Sequence, residues 1–386
     1  MDGVALPPGD ITVLRDPAQT TADQRPVRFL RVEKAVGLPD DEVRDFRDTA
    51  FGAAGGLGMR EILAYAPIEP DGSVQIKLPA GVPFAIGVLD RDGRRITPRH
   101  LNWLQLRAGE VLTCNGCHLP AGAQPGAPPA ISHGRQALFA SVNPGAPTAG
   151  QPFPNSNPLV IAGLGETMAE ARARLSCQTD CAAQLPSVDL IYSDVWTAAG
   201  LPATASFSYR YSQLNTPAPL SATSTGCPAN WTAQCRIVIN YPDHLQPLWT
   251  LPRLIVDAGG AVLANRTCVS CHSPADAAGV VRVPAAQLDL SGGPSPDEAD
   301  HLVSYRELLF PDNAQEVNMG ALQDIPVLVN PSMSGAGARD SATFFSLFDP
   351  GGSHAGDLTA AELRLIAEWL DIGGQYYNDP FMAPVN

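Results

Sequence analysis

Two copies of one five-residue pattern, Cys114-Asn115-Gly116-Cys117-His118 and Cys268-Val269-Ser270-Cys271-His272, use half of the chain's eight cysteines. The C-x-x-C-H spacing puts two thiols on one helical turn with an imidazole directly after them. That arrangement lets the thiols add to the two vinyl groups of a haem while the histidine ligates its iron. Zinc half-sites and thioredoxin-like pairs also use C-x-x-C, but neither requires a histidine after the second cysteine in both copies. Two haem c groups are therefore expected, one on Cys114, Cys117 and His118 and one on Cys268, Cys271 and His272.

A chain of 386 residues has room for two or three domains, and 35 glycines with 37 prolines predict long irregular connections between short elements. The formal net charge of -14 disfavours nucleic acid and anionic lipid surfaces. It favours a cationic encounter partner, for instance a basic cytochrome as redox partner. No segment reaches the roughly 18 unbroken apolar residues of a membrane helix, so no membrane span is expected. Met1-Asp2-Gly3 does not begin a signal peptide, although covalent haem attachment takes place outside the cytoplasm. The chain is thus expected to be a processed piece of an exported protein, periplasmic or extracellular. In that oxidising setting Cys177, Cys181, Cys227 and Cys235, which no histidine follows, are expected to pair as disulfides. Three connectivities are open, and the pairing nearest in sequence is Cys177 with Cys181 and Cys227 with Cys235.

The patterning predicts an α+β, multidomain chain. Residues 1–165 read as a β-rich, sandwich-like domain with the first haem. Val74, Ile76 and Leu78 alternate with polar residues after an Asp71-Gly72 turn, and Phe84, Ile86 and Val88 alternate before Asp92-Gly93. Residues 166–240 read as a β-rich segment stapled by disulfides, entered by a short helix capped by Thr167 and Glu170 and ending in Arg236–Ile239. Residues 241–386 read as a mostly α, cytochrome c-like domain with the second haem. A helix is expected from Pro296 to Leu309. The final helix is the best specified: Thr359 and Glu362 form a capping box, Leu358 and Leu363 a hydrophobic staple, and Leu363, Ile366, Ala367 and Leu370 an apolar face.

The side chain opposite each proximal histidine decides between electron transfer and catalysis. The pool holds His100, His133, His244, His301 and His354, together with methionines such as Met333. His354 lies in a Gly-rich loop directly before the final helix, so it is the expected distal ligand of the second haem, with Met333 as the alternative. For the first haem His133, 15 residues after His118, is the candidate, with His244 and His100 as rivals and an open iron also possible.

Arg28–Ala35, Tyr65–Ser73, Asn102–Gln105 with Cys114–His118, and Ile366–Phe381 together give the chain an outline that resembles the middle and C-terminal haem domains of hydrazine synthase α-subunit-like proteins. The resemblance covers about the first 165 and the last 130 residues. It implies bis-His ligation of the second haem by His272 and His354. It also implies a catalytic haem in the middle domain, where the family carries a tyrosine ligand four residues after the motif histidine; that position here is Gly122. The family's N-terminal β-propeller has no counterpart in this sequence. Three functions follow as expectations: electron transfer by a dihaem cytochrome, haem catalysis on a small nitrogen or oxygen species (hydrazine synthase-like or peroxidase-like), and self-association or service as a subunit of a larger redox assembly or filament.

Overall fold

The computed structural model describes residues 11–100, 102–114, 143–220, 226–227, 232 and 234–386. After one helical turn, α1 (Ile11–Leu14), the chain builds an antiparallel sheet in the order β2-β1-β3 from β1 (Phe29–Ala35), β2 (Arg60–Pro67) and β3 (Phe84–Leu89). A bulge between Val32 and Glu33 lets β2 insert one extra residue. β1 is buried on both faces. Leu30 and Val32 join Leu63, Ala64 and Phe84 on one side, while Phe29 enters the main core on the other. Val74, Ile76 and Leu78 do face the Leu30 cluster, as the alternation predicts, but their segment has no ladder. It is tied instead by the Lys77 N–H, which donates to the Gln184 carbonyl at 2.9 Å. The second layer over the sheet is thus an extended strap.

The middle of the chain carries β4 (Gln151–Pro152) with β5 (Ile161–Ala162), the helix α2 (Met168–Ser176), and β6 (Leu190–Tyr192) with β7 (Phe207–Tyr209). Thr167 and Glu170 form the expected capping box on α2. The helix start is seated on the Asp71-Gly72 turn, because the Met168 N–H donates to Asp71 Oδ2 at 2.8 Å and the Ala169 N–H to Ser73 Oγ at 2.9 Å. Cys177 is bonded to Cys181 and Cys227 to Cys235, the pairing nearest in sequence. The Arg236–Ile239 segment makes no strand. Ile237 forms isolated bridges to Ile62, at the edge of β2, and to Leu220.

From Tyr241 the elements are α3 (Gln246–Thr250), a hairpin of β8 (Leu254–Val256) and β9 (Val262–Asn265), α4 (Val303–Leu309), a hairpin of β10 (Asp312–Asn318) and β11 (Ala321–Val329), α5 (Ala342–Ser346) and α6 (Ala360–Asp371). α4 starts at Val303 rather than near Pro296. The preceding residues close a loop, with the Ser295 N–H donating to the His301 carbonyl at 2.8 Å. The His301 ring is wedged 4.8 Å from Tyr305 and 4.6 Å from Tyr376. α6 has its capping box, and its staple residues Leu358 and Leu363 both pack on the main core.

One core joins all of these parts. Phe29, Ile62 and Tyr65 from the sheet, Val188, Leu190 and Tyr211 from the middle, and Tyr241, Trp249, Tyr305, Leu365 and Trp369 from the last third form a single cluster. Charge is buried with it. Arg31 on β1 pairs with Asp371 of α6 at 3.1 Å and with Glu33 at 3.0 Å. Arg364 pairs with Glu368 at 2.6 Å, one turn further along α6. Tyr65 and Tyr211 donate their hydroxyls to the same Glu368 carboxylate at 2.5 and 2.8 Å. α6 is therefore held through its charged side chains as well as its apolar ones.

Candidate haem site between His272 and His354

The second motif is a single tight turn. The Cys271 N–H donates to the Cys268 carbonyl at 3.2 Å and the His272 N–H to the same oxygen at 2.9 Å, which puts both sulfurs and the imidazole on one turn. Arg282 clamps that turn, donating to the Ser270 carbonyl at 2.6 Å and the Ser273 carbonyl at 3.2 Å. The segment 285–290 closes it from below through Ala285 N–H to Cys271 O at 3.1 Å and Leu290 N–H to His272 O at 3.0 Å. Cys268 and Cys271 are free thiols, in contrast to the four bonded cysteines.

His354 arrives from the loop between α5 and α6. Its N–H donates to the Leu347 carbonyl at 2.8 Å, and its ring rests 5.6 Å from Phe348. Gly351 and Gly356 turn the loop with positive φ of 91° and 83°, a conformation that side chains disfavour. Ser353 Oγ lies 2.8 Å from His354 Nδ1, so the opposite nitrogen, Nε2, is left for a ligand.

The His272 and His354 ring centroids are 6.0 Å apart. Two metal–imidazole bonds of about 2.0 Å plus the radii of both rings come to roughly 6 Å, so the separation would suit His272 and His354 as the two residues holding one haem iron. Burial, and secondarily His354, pushes the His272 pKa down, which keeps the imidazole neutral as ligation requires. Its Nδ1 is buried without a hydrogen-bond partner. Burial also raises the Cys268 thiol pKa. Among the described residues no three His, Cys, Asp or Glu side chains converge as a bare-ion site would need. The free thiol pair, the adjoining imidazole and the facing second imidazole fit a covalently attached haem.

Two ion pairs connect the proximal and distal halves. Arg253, at the entrance to β8, donates to both Glu362 carboxylate oxygens at 2.7 and 3.2 Å, and Arg266, just after β9, lies 3.7 Å from Asp357. A cleft of about 310 Å³ runs between the hairpin and the loop, lined by these arginines, Leu254, Ile255 and Ala355–Asp357. Arg253, Arg266, Arg282 and Asp357 belong to no sequence motif, and Glu362 is marked in the sequence only as a helix-capping residue. The one available signal is that Glu362 belongs to the capping box beside His354.

The other candidates fall elsewhere. Met333 is buried in the main core, its N–H donating to the Leu308 carbonyl at 2.9 Å. His301 holds the Thr49 carbonyl through Nε2 at 2.6 Å. His244 sits in a π-turn, Tyr241–Leu245, with Nδ1 accepting from the Asn240 N–H at 3.0 Å. His100 has a buried Nδ1 with no partner. Cys114 is an exposed free thiol, while Cys117, His118, Gly122 and His133 lie outside the described residues.

Residues 27–119 match the family described as the hydrazine synthase alpha subunit middle domain. Over those residues the chain is similar to that middle domain. The matched stretch begins two residues before β1, takes in the whole three-stranded sheet and the strap over it, and ends one residue after His118, so the first motif falls inside it. No curated protein matches the chain. Among solved structures, a chain of Kuenenia stuttgartiensis hydrazine synthase is similar at 17% identity with a TM-score of 0.48, over 98% of this chain and 43% of that one. This chain thus spans less than half the length of that one. Among the described residues no helix is long and apolar enough to cross a membrane.

Proposed function

We propose that the chain is an exported dihaem c-type cytochrome module that accepts and passes single electrons. Cys114, Cys117 and His118 would hold the first haem, and Cys268, Cys271 and His272 the second, with His354 as distal ligand of the second. When bound, the haem irons supply reversible one-electron redox chemistry. The residues of the chain do the rest. The motif turn fixes His272, the Phe348 and glycine loop presents His354, and burial keeps the proximal imidazole neutral. The observation that carries this reading is the 6.0 Å separation of the two facing imidazoles. Two protein ligands leave no open position for substrate at that iron, which favours electron transfer over catalysis there. The two disulfides support export, and the net charge of -14 supports a cationic redox partner such as a basic cytochrome.

A second reading rests on the segment 27–119, whose domain type belongs to hydrazine synthase. The first haem would then be an open site acting on a small nitrogen or oxygen species, with the second haem feeding it electrons inside a larger redox assembly. Spectroelectrochemical titration of the matured chain separates the readings. Electron transfer predicts two reversible one-electron couples and ferric spectra that cyanide leaves unchanged. Cyanide binding at one haem favours the second reading, and an open iron at the second haem overturns the first.

A further inference from the structure

We propose that Arg253 and Arg266 act as a latch that positions His354, so that the distal ligand is fixed by ion pairs built into the protein. The inference rests on the reading of His272 and His354 as ligands of one haem. It goes further by assigning what keeps the distal one in place.

Both arginines belong to the hairpin that leads directly into the proximal motif. The Arg266 N–H donates to the Arg253 carbonyl at 2.8 Å, and the Arg253 N–H donates to Thr267 Oγ1 at 3.0 Å, one residue before Cys268. Their acceptors bracket the distal side: Asp357 lies three residues after His354, and Glu362 is the third residue of α6. The Glu362 carboxylate does two jobs at once. It accepts the Thr359 N–H at 2.7 Å as part of the cap, and it accepts both Arg253 contacts. Arg253 also donates to the Leu248 carbonyl at 3.3 Å, which ties the latch to α3.

The loop turns on Gly351 and Gly356 at positive φ, and a roughly 310 Å³ cleft lies between it and the hairpin, whose Leu254 and Ile255 are half exposed there, so the two ion pairs bridge the cleft where apolar contact is thin. The Arg253–Glu362 pair is largely shielded from water, with side-chain exposures of 13% and 2%, and is geometrically two-pronged, which makes it the stronger half of the latch. The Arg266–Asp357 pair, with Arg266 half exposed, is the weaker half.

The test uses the full chain matured with haem and follows carbon monoxide binding to the ferrous protein and the ferric low-spin signature. His354→Ala serves as the reference for complete loss of the distal ligand. The double variant Arg253→Gln/Arg266→Gln is expected to bind carbon monoxide at least about tenfold faster than the unaltered chain, approaching His354→Ala, with far-UV circular dichroism unchanged. Arg253→Lys is expected to recover part of the slow binding. Arg266→Asp is expected to open the site partially, and restoring the pair with Asp357→Arg is expected to reverse that; this swap lies at the exposed pair and stays informative where the double variant folds poorly. Carbon monoxide kinetics in both arginine variants equal to those of the unaltered chain overturn the latch. A His354→Ala chain that behaves like the unaltered one overturns the bis-His reading itself, and the latch falls with it.

Discussion

Glu368 offers the sharpest test of how the parts of the chain are locked together. It is fully buried and accepts from Tyr65 at 2.5 Å, Tyr211 at 2.8 Å and Arg364 at 2.6 Å. Tyr65 comes from β2, Tyr211 from the middle segment, and Arg364 and Glu368 from α6, so one carboxylate joins three stretches of sequence. Glu368→Gln keeps the shape and removes the charge. Breaking a buried pair in this way costs about 3–5 kcal/mol. Arg364 keeps a second acid, Asp189 at 3.6 Å, which places the loss near the lower end of that range. One tyrosine hydroxyl left without its charged acceptor adds about 1 kcal/mol, for a total of about 4 kcal/mol. Urea unfolding of Glu368→Gln, Arg364→Met and the double variant measures it. The double variant should be less destabilised than the sum of the singles by about 2–3 kcal/mol, the coupling of a contacting charged pair. A Glu368→Gln loss under about 1 kcal/mol, or additivity within about 0.5 kcal/mol, refutes the reasoning.

Thr359→Ala removes the α6 cap, whose hydroxyl accepts the Glu362 N–H at 3.3 Å, and should cost about 1 kcal/mol in the same unfolding assay. Replacing Cys227 and Cys235 together by alanine opens a loop of eight residues' separation and should cost about 2.5 kcal/mol by chain entropy, read as a lower urea midpoint. Burial, reinforced by Asp312 and Asp289, pushes the Glu307 carboxyl up to about 8 from its ordinary 4.5. Between those values the folded chain keeps a proton that the unfolded chain has lost, so stability falls as pH rises through the window. Glu307→Gln does not titrate there, and its stability relative to the unaltered chain should improve from about pH 5 to about pH 8; an unchanged difference across that range contradicts the assignment.

The legible parts of this fold were those written in local chemistry. The capping boxes at Thr167 and Thr359, the staple of Leu358 and Leu363, and the near-neighbour disulfides all depend on residues a few positions apart, and each is present. The approach of the His354 ring to His272 is readable because a glycine-rich loop before a terminal helix has few places to go. Long-range charge was not readable. Arg31 and Asp371 meet across 340 residues, and the arginines of the distal latch look in sequence like any solvated charge. The β10–β11 hairpin was also missed. Its turn at Asn318-Met319-Gly320 puts Met319 at φ 52° and Gly320 at φ 81°, and without an Asn-Gly or Asp-Gly pair it gives only a weak signal. The expected helix start at Pro296 failed because the His301 ring is drawn between Tyr305 and Tyr376, which bends the chain into a loop first.

Intact mass of the chain produced with a haem-attachment system, followed by mapping of the proteolytic fragments, tests the central claim most directly. The account predicts two added haem masses, one on the fragment with Cys114 and Cys117 and one on the fragment with Cys268 and Cys271, with neither pair open to alkylation. A mass equal to the bare polypeptide, or a second fragment whose two thiols alkylate freely, contradicts it.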